Sequence, residues 1–170
     1  MSRTLVLRNR RRRRKIDLRR FRRIVEALLV ELKIEQAELG IYFVAAPEMT
    51  RLNETFLKHR GPTDVLAFDY ADNAAAPVTA RTGASKTGQN HALTGAATRL
   101  HGEIFVCIDQ AVLQARRFRT TRRSELVRYI VHGMLHLCGF NDEHPAARRK
   151  MKRAENGLLR QMTRQFALKQ

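Results

Sequence analysis

His132-Gly133-Met134-Leu135-His136-Leu137-Cys138-Gly139-Phe140-Asn141-Asp142-Glu143-His144 is the stretch on which the reading of this chain turns. Histidines at i and i+4 fall on one face of a helix, close enough to share one ion, and neutral imidazoles suit zinc. Gly139, three residues past the second histidine, lets the chain reverse and return a further ligand to the same ion. Asp142 stands in register for that role, and His144, two residues later, is the alternative third ligand.

The surrounding sequence supplies a scaffold for this helix. Thr121 caps a helix from about Arg122 to Cys138, along which Leu126, Tyr129, Ile130, Met134 and Leu137 recur at helical spacing before Gly139 closes it. Upstream, Glu103 to Asp109 (EIFVCID) is a continuous apolar run, the pattern of a strand buried on both faces, and it can pair with a strand in Pro62 to Tyr70. Residues 4 to 8 read as a strand, and Asp17 caps a helix from about Leu18 to Leu32 with Phe21, Ile24, Val25, Leu28, Leu29 and Leu32 in one stripe. Leu39 to Ala45 is β-rich, and Pro47 with Glu48 opens a short helix carrying Met49, Leu52 and Phe56. Strand, helix and strand in this order predict a right-handed crossover and a parallel pair. A last helix runs from near Pro145 towards the C-terminus. Residues 71 to 100, rich in Ala, Thr and Gly, read as a flexible insertion within one domain spanning 1 to 170.

Charge points to the partner. The 170 residues hold 33 Lys and Arg against 16 Asp and Glu, a formal charge of +17, well beyond what solubility requires. A polyanion is expected. The block RNRRRRRK at 8 to 15, continued by Arg19, Arg20, Arg22 and Arg23, makes a basic N-terminal segment over 8 to 23. Its adjacent cations Arg10, Arg11, Arg12, Arg13 and Arg14 repel one another, which favours a role as phosphate ligands over a merely solvated face. Arg116, Arg117 and Arg119, with Arg122 and Arg123, form a second cluster just before the histidine helix. Such cations bind without reading sequence, and their grip weakens with salt. Aromatics are few and do not interleave with the arginines, which argues against base stacking. No apolar run is long enough for a membrane span, and the arginines near the N-terminus lack the apolar core of a signal peptide, so a cytoplasmic protein with no membrane partner is expected. Cys107 and Cys138 lie on apolar segments and read as reduced core residues.

The histidine spacing reproduces the H-x-x-x-H-x-x-G-x-x-H pattern of the metzincin proteases, with Asp142 where the third histidine belongs. In zincin proteases the residue after the first histidine is the glutamate that activates the metal-bound water, and here it is Gly133. A peptidase therefore lacks its base. Two histidines and a carboxylate with open positions also suit non-haem iron.

The run HGMLHLCGFND resembles more closely the signature of the YbeY family, H-G-x-L-H-L-x-G-Y-D-H. Leu52-Asn53 followed by Pro62-Thr63-Asp64-Val65-Leu66-Ala67-Phe68 is similar to the family's L-N and P-T-D-V-L-S-F, and Gly102-Glu103-Ile104 to its G-D-I. The resemblance runs from about Leu39 to Glu155 apart from the insertion. It implies a zincin-like α+β fold, a small mixed β-sheet packed with helices and the ligand helix in the cleft. It also implies a single-strand endoribonuclease binding one zinc ion and acting in ribosomal RNA maturation, at the 16S 3′ end, and in ribosome quality control. Its partners are ribosomal RNA or a ribosomal subunit, and it admits ribosomal or GTPase protein partners. His132 and His136 would be catalytic ligands, with Asp142 or His144 as the third. The family's usual arginine four residues after the asparagine is Leu57 here, leaving Arg60 or Lys58 to supply that charge. A non-catalytic, ribosome-associated metal protein is the alternative, and a zincin-type metalloprotease a further one.

Overall fold

Alternation of side chains along the central strands decides the architecture. The computed structural model describes residues 2–11, 14–70, 76–77 and 98–168. Its elements are β1 (Ser2–Asn9), α1 (Leu18–Glu31), β2 (Ile34–Val44), α2 (Ala46–Phe56), β3 (Val65–Asp69), β4 (Ala76–Pro77), β5 (Thr98–Cys107), α3 (Ile108–Phe118), α4 (Arg122–Leu137) and α5 (Pro145–Phe166). The strands form one mixed sheet in the order β1-β2-β5-β3-β4. β1, β2 and β5 run parallel, whereas β3 is antiparallel to both β5 and β4.

Leu39, Ile41 and Phe43 of β2, Leu100, Ile104 and Val106 of β5, and Val65 and Ala67 of β3 share the larger core with residues of α1, α4 and α5. Their neighbours of opposite parity, among them Val44, Leu66, Phe68, Phe105 and Cys107, join a second core beneath Met49 of α2. Both faces of the middle strands are covered, which is why β5 reads as an unbroken apolar run. The α+β class and the mixed sheet agree with the sequence. Asp17 accepts from the Arg20 amide and Thr121 from the Ser124 amide, so both helix starts fall where side-chain caps mark them.

Three boundaries differ from expectation. The strand expected over Glu103 to Asp109 begins earlier, at Thr98, and ends at Cys107; Ile108 starts α3, a helix that periodicity did not separate from the strand. The α3 cap position, Cys107, makes no side-chain capping hydrogen bond, so the sequence carries no start signal there. β2 begins at Ile34 rather than Leu39, because its first half carries exposed Glu35, Gln36 and Glu38 and does not read as a buried strand. Residues 76–77 and 98–100, inside the expected insertion, belong to β4 and β5, and the rest of that insertion lies outside the described residues.

Gly133 explains how closely α4 lies on the sheet. A Cβ added there would sit 2.8 Å from Ile104 Cγ2, with two more Ile104 carbons within 3.3 Å. Gly133→Ala should therefore destabilise the protein by about 1–3 kcal/mol through overpacking, reduced by up to about 1 kcal/mol of helix propensity. Urea denaturation measures the difference, and a more stable variant would disprove this packing account.

Candidate metal centre

The C-terminal turn of α4 builds the site. Gly139 adopts φ +85°, its amide donates to the His136 carbonyl, and the Phe140 amide donates to the Leu135 carbonyl. This is a Schellman closure, and only the left-handed residue at its centre favours glycine. The reversal brings the Phe140 carbonyl back to His136 Nδ1 at 3.0 Å and returns Asp142 towards the two histidines. One ligand atom each from His132, His136 and Asp142 lies within 4.8 Å of the others.

The orientation of the imidazoles follows from their outer partners. A carbonyl only accepts, so His136 Nδ1 carries the hydrogen and its Nε2 presents a lone pair. His132 Nδ1 lies 3.1 Å from Oε2 of Glu155, a buried residue of α5. Burial raises the Glu155 pKa, but hydrogen bonds from His132 and Lys152, with their charges, outweigh it and hold the carboxyl at about 2. An ionised carboxylate accepts, so His132 Nδ1 carries a hydrogen directed at Glu155. The two Nε2 atoms then face each other at 3.1 Å, with the rings nearly perpendicular at 81°. Two imidazole nitrogens this close together, with the Asp142 carboxylate beside them, make a donor set that one cation can bridge. Burial first, and then the charge of His132, lowers the His136 pKa, so this ring stays neutral and available as a ligand. The residues fit a metal ion bound through two imidazoles and a carboxylate.

His144 is placed elsewhere. It is exposed, occupies the cap position of α5 with extended backbone at ψ 150°, and is not in the group that could hold an ion. Pro145 imposes that extended conformation. Cys107 and Cys138 are free and buried, and burial pushes both thiols up, Cys138 to about 12, as expected of core residues.

Residues 6–163 match the family model described as Endoribonuclease YbeY. The chain belongs to the YbeY family. A Chlorobium luteolum protein named Endoribonuclease YbeY is 29% identical over 152 residues, covering 89% of this chain and 93% of its own length. The protein of the same name from Salinibacter ruber is 30% identical over 146 residues, covering 86% and 83%. Among solved structures, the solution structure of TM1509 from Thermotoga maritima matches with a TM-score of 0.60 at 19% identity, over 96% of this chain and 92% of that one, and so shares the fold.

Leu57, at the position of the usual YbeY arginine, packs against the second core, while Arg60 is exposed on the loop between α2 and β3. Asn53 pins that loop by donating to the Gly61 carbonyl at 2.8 Å. The far end of the loop is Asp64, whose charge reaches His136 and opposes the fall in its pKa. Sequence reasoning missed Glu155 as part of the site. Glu155 gave no signal, since only the packing of α5 on α4 brings it to His132.

The basic clusters are more engaged than their sequence suggested. Arg10 pairs with Glu48 at 2.9 Å and lies over the Tyr42 ring, and Arg11 pairs with Asp109. Arg20 donates to the Phe166 carbonyl and Arg22 to that of Leu5, which ties α1 to α5 and β1. Arg12 and Arg13 lie outside the described residues. Arg116, Arg117 and Arg119 are exposed at the end of α3.

Proposed function

We propose that this chain is a zinc-dependent endoribonuclease that cleaves single-stranded ribosomal RNA, in 16S 3′-end maturation and ribosome quality control, in the cytoplasm. The observation that carries the reading is the approach of the two Nε2 atoms to 3.1 Å with Asp142 in the same group. A zinc ion held there would polarise a phosphoryl oxygen and lower the pKa of a bound water. His132 and His136 supply the neutral ligands, Asp142 a carboxylate, and Glu155 with the Phe140 carbonyl aim the rings. With His144 outside the group, three protein ligands leave a position open, the pattern of catalytic rather than structural zinc. Arg60 meets the substrate phosphate in place of the usual family arginine. A peptidase is disfavoured, because position 133 faces Ile104 and any side chain there would be directed into the sheet. No helix among the described residues is long and apolar enough to cross a membrane.

The test is cleavage of a labelled single-stranded ribosomal RNA fragment by the purified chain, with chelator added and zinc then restored. Asp142→Ala should lower zinc affinity far more than His144→Ala, whose effect should fall mainly on cleavage if its imidazole supplies a proton or contacts the phosphate. The reverse order of zinc loss in a chelator competition would move the third ligand to His144. RNA that remains intact with zinc present would refute the endoribonuclease reading.

A further inference from the structure

Two basic clusters that are about a hundred residues apart in the chain meet at one corner of the fold. Arg14, on the connection from β1 to α1, lines a shallow pocket of about 340 Å³ together with Arg116 of α3 and Arg122, the first residue of α4. Val112, Ala115 and Thr120 complete the lining. Arg122 donates to the Lys15 carbonyl at 3.3 Å, which holds the N-terminal connection against the start of α4. Among the described residues none of the three guanidiniums has a carboxylate partner, unlike Arg10 and Arg11 close by. The nearest buried acid on α4, Glu125, is taken by Thr120 at 2.5 Å and by Arg128.

Three unneutralised guanidiniums around one concavity repel each other unless an anion enters. Their planar forks match phosphate oxygens bidentately, which a lysine cluster would not do. The lining includes neither a large apolar side chain nor an aromatic ring, so it offers little to an acidic polypeptide beyond its carboxylates. The pocket also stands apart from the metal centre. Ten residues of α4 separate Arg122 from His132, which is about 15 Å along the helix axis. A mononucleotide bound at the metal cannot reach it, whereas a polynucleotide can.

We propose that Arg14, Arg116 and Arg122 form a backbone-phosphate site for single-stranded RNA at the α3–α4 corner, gripping the substrate at a distance from the bond that is cut. The assignment rests on the reading of RNA as substrate. It makes the arginines of this corner a length sensor: RNAs that span both sites bind more tightly than those covering the metal alone.

The test uses the full chain as purified and a fluorescent, phosphorothioate-linked single-stranded RNA that resists cleavage. Its affinity is followed by anisotropy across a salt series. In the triple variant Arg14→Gln, Arg116→Gln, Arg122→Gln, the slope of log affinity against log salt should shrink by about 2, since each phosphate no longer neutralised removes about 0.7 from a single-strand slope. A control variant removing three exposed charges of α5, Arg149→Gln, Arg153→Gln, Arg160→Gln, should change the slope by less than about 1 on the same scale. Equal reductions in the two variants would reduce the corner to general charge and overturn the site, as would an unchanged slope in the first. Polyglutamate competing as well as RNA would overturn the RNA assignment in favour of an acidic polypeptide. Failure of the endoribonuclease reading would show separately, as wild-type protein that leaves ordinary RNA uncut while these binding slopes keep their difference.

Discussion

His136→Ala should remove tight metal binding and RNA cleavage together while leaving the fold in place. The ring is buried and contributes one of the two Nε2 atoms that face each other at 3.1 Å, so no other side chain of α4 can substitute for it. Metal-assisted stabilisation of a phosphoryl transition state amounts to several kcal/mol, and about 1.4 kcal/mol is tenfold in rate, so cleavage should fall by about a thousandfold or more. Folding should survive for a different reason. The variant loses the hydrogen bond to the Phe140 carbonyl, worth about 1 kcal/mol, a small part of a domain's stability. The stripe that packs α4, including Leu126, Ile130 and Met134, is untouched. Metal analysis, cleavage assays and thermal melts of chelated samples check the three parts. Stoichiometric zinc in His136→Ala would sink the site. The linkage to pH has a definite sign. With its pKa lowered below the ordinary 6.5, folded His136 takes up a proton less readily than in the unfolded chain, so the chelated protein should lose stability as pH falls from 6.5 towards the folded pKa.

Much of this site was legible because it is local. His132, His136, Gly139 and Asp142 span eleven residues, and helical spacing plus one left-handed glycine fixes their relation without any tertiary information. α1 and α4 were legible for the same reason, each having an amphipathic stripe and a side-chain cap at its start. α3 was not, since Cys107 and Ile108 continue the apolar run of β5 and a buried strand passing into a buried helix gives no change of period at the boundary. The arginines show the other kind of failure. From sequence, Arg10 and Arg11 belong to a free basic block, yet Glu48 and Asp109, far along the chain, have claimed them, leaving Arg14 to join Arg116 and Arg122. Charge runs report how much cation is present, but which members are free is decided by tertiary partners.

Glu155 was invisible for that reason, and its removal should have the second large effect. On α5 it reads as an ordinary i, i+3 partner of Lys152, but the fold buries it and brings Arg128 to 3.0 Å, Lys152 to 2.8 Å and His132 Nδ1 to 3.1 Å. A carboxylate behind a ligating histidine fixes tautomer and ring angle, and losing such a group typically lowers metal affinity by about 10–100-fold. Glu155→Gln keeps the shape and removes the charge, so zinc affinity should fall within that range and part of it should return in Glu155→Asp. The stability consequence can be separated by pH. The folded carboxyl titrates at about 2 against an ordinary 4.5, so its contribution, about 3 kcal/mol, is fully present above pH 4.5 and is lost as pH falls through that interval towards 2. Urea denaturation of chelated wild type and Glu155→Gln should therefore show a gap of about that size at pH 7 that narrows steadily below pH 4.5. The charges left behind on Arg128 and Lys152 reach solvent, so the variant should still fold. A gap that stayed constant from pH 7 to about pH 3 would mean that Glu155 acts through packing alone, and unchanged zinc affinity would mean that it does not orient His132.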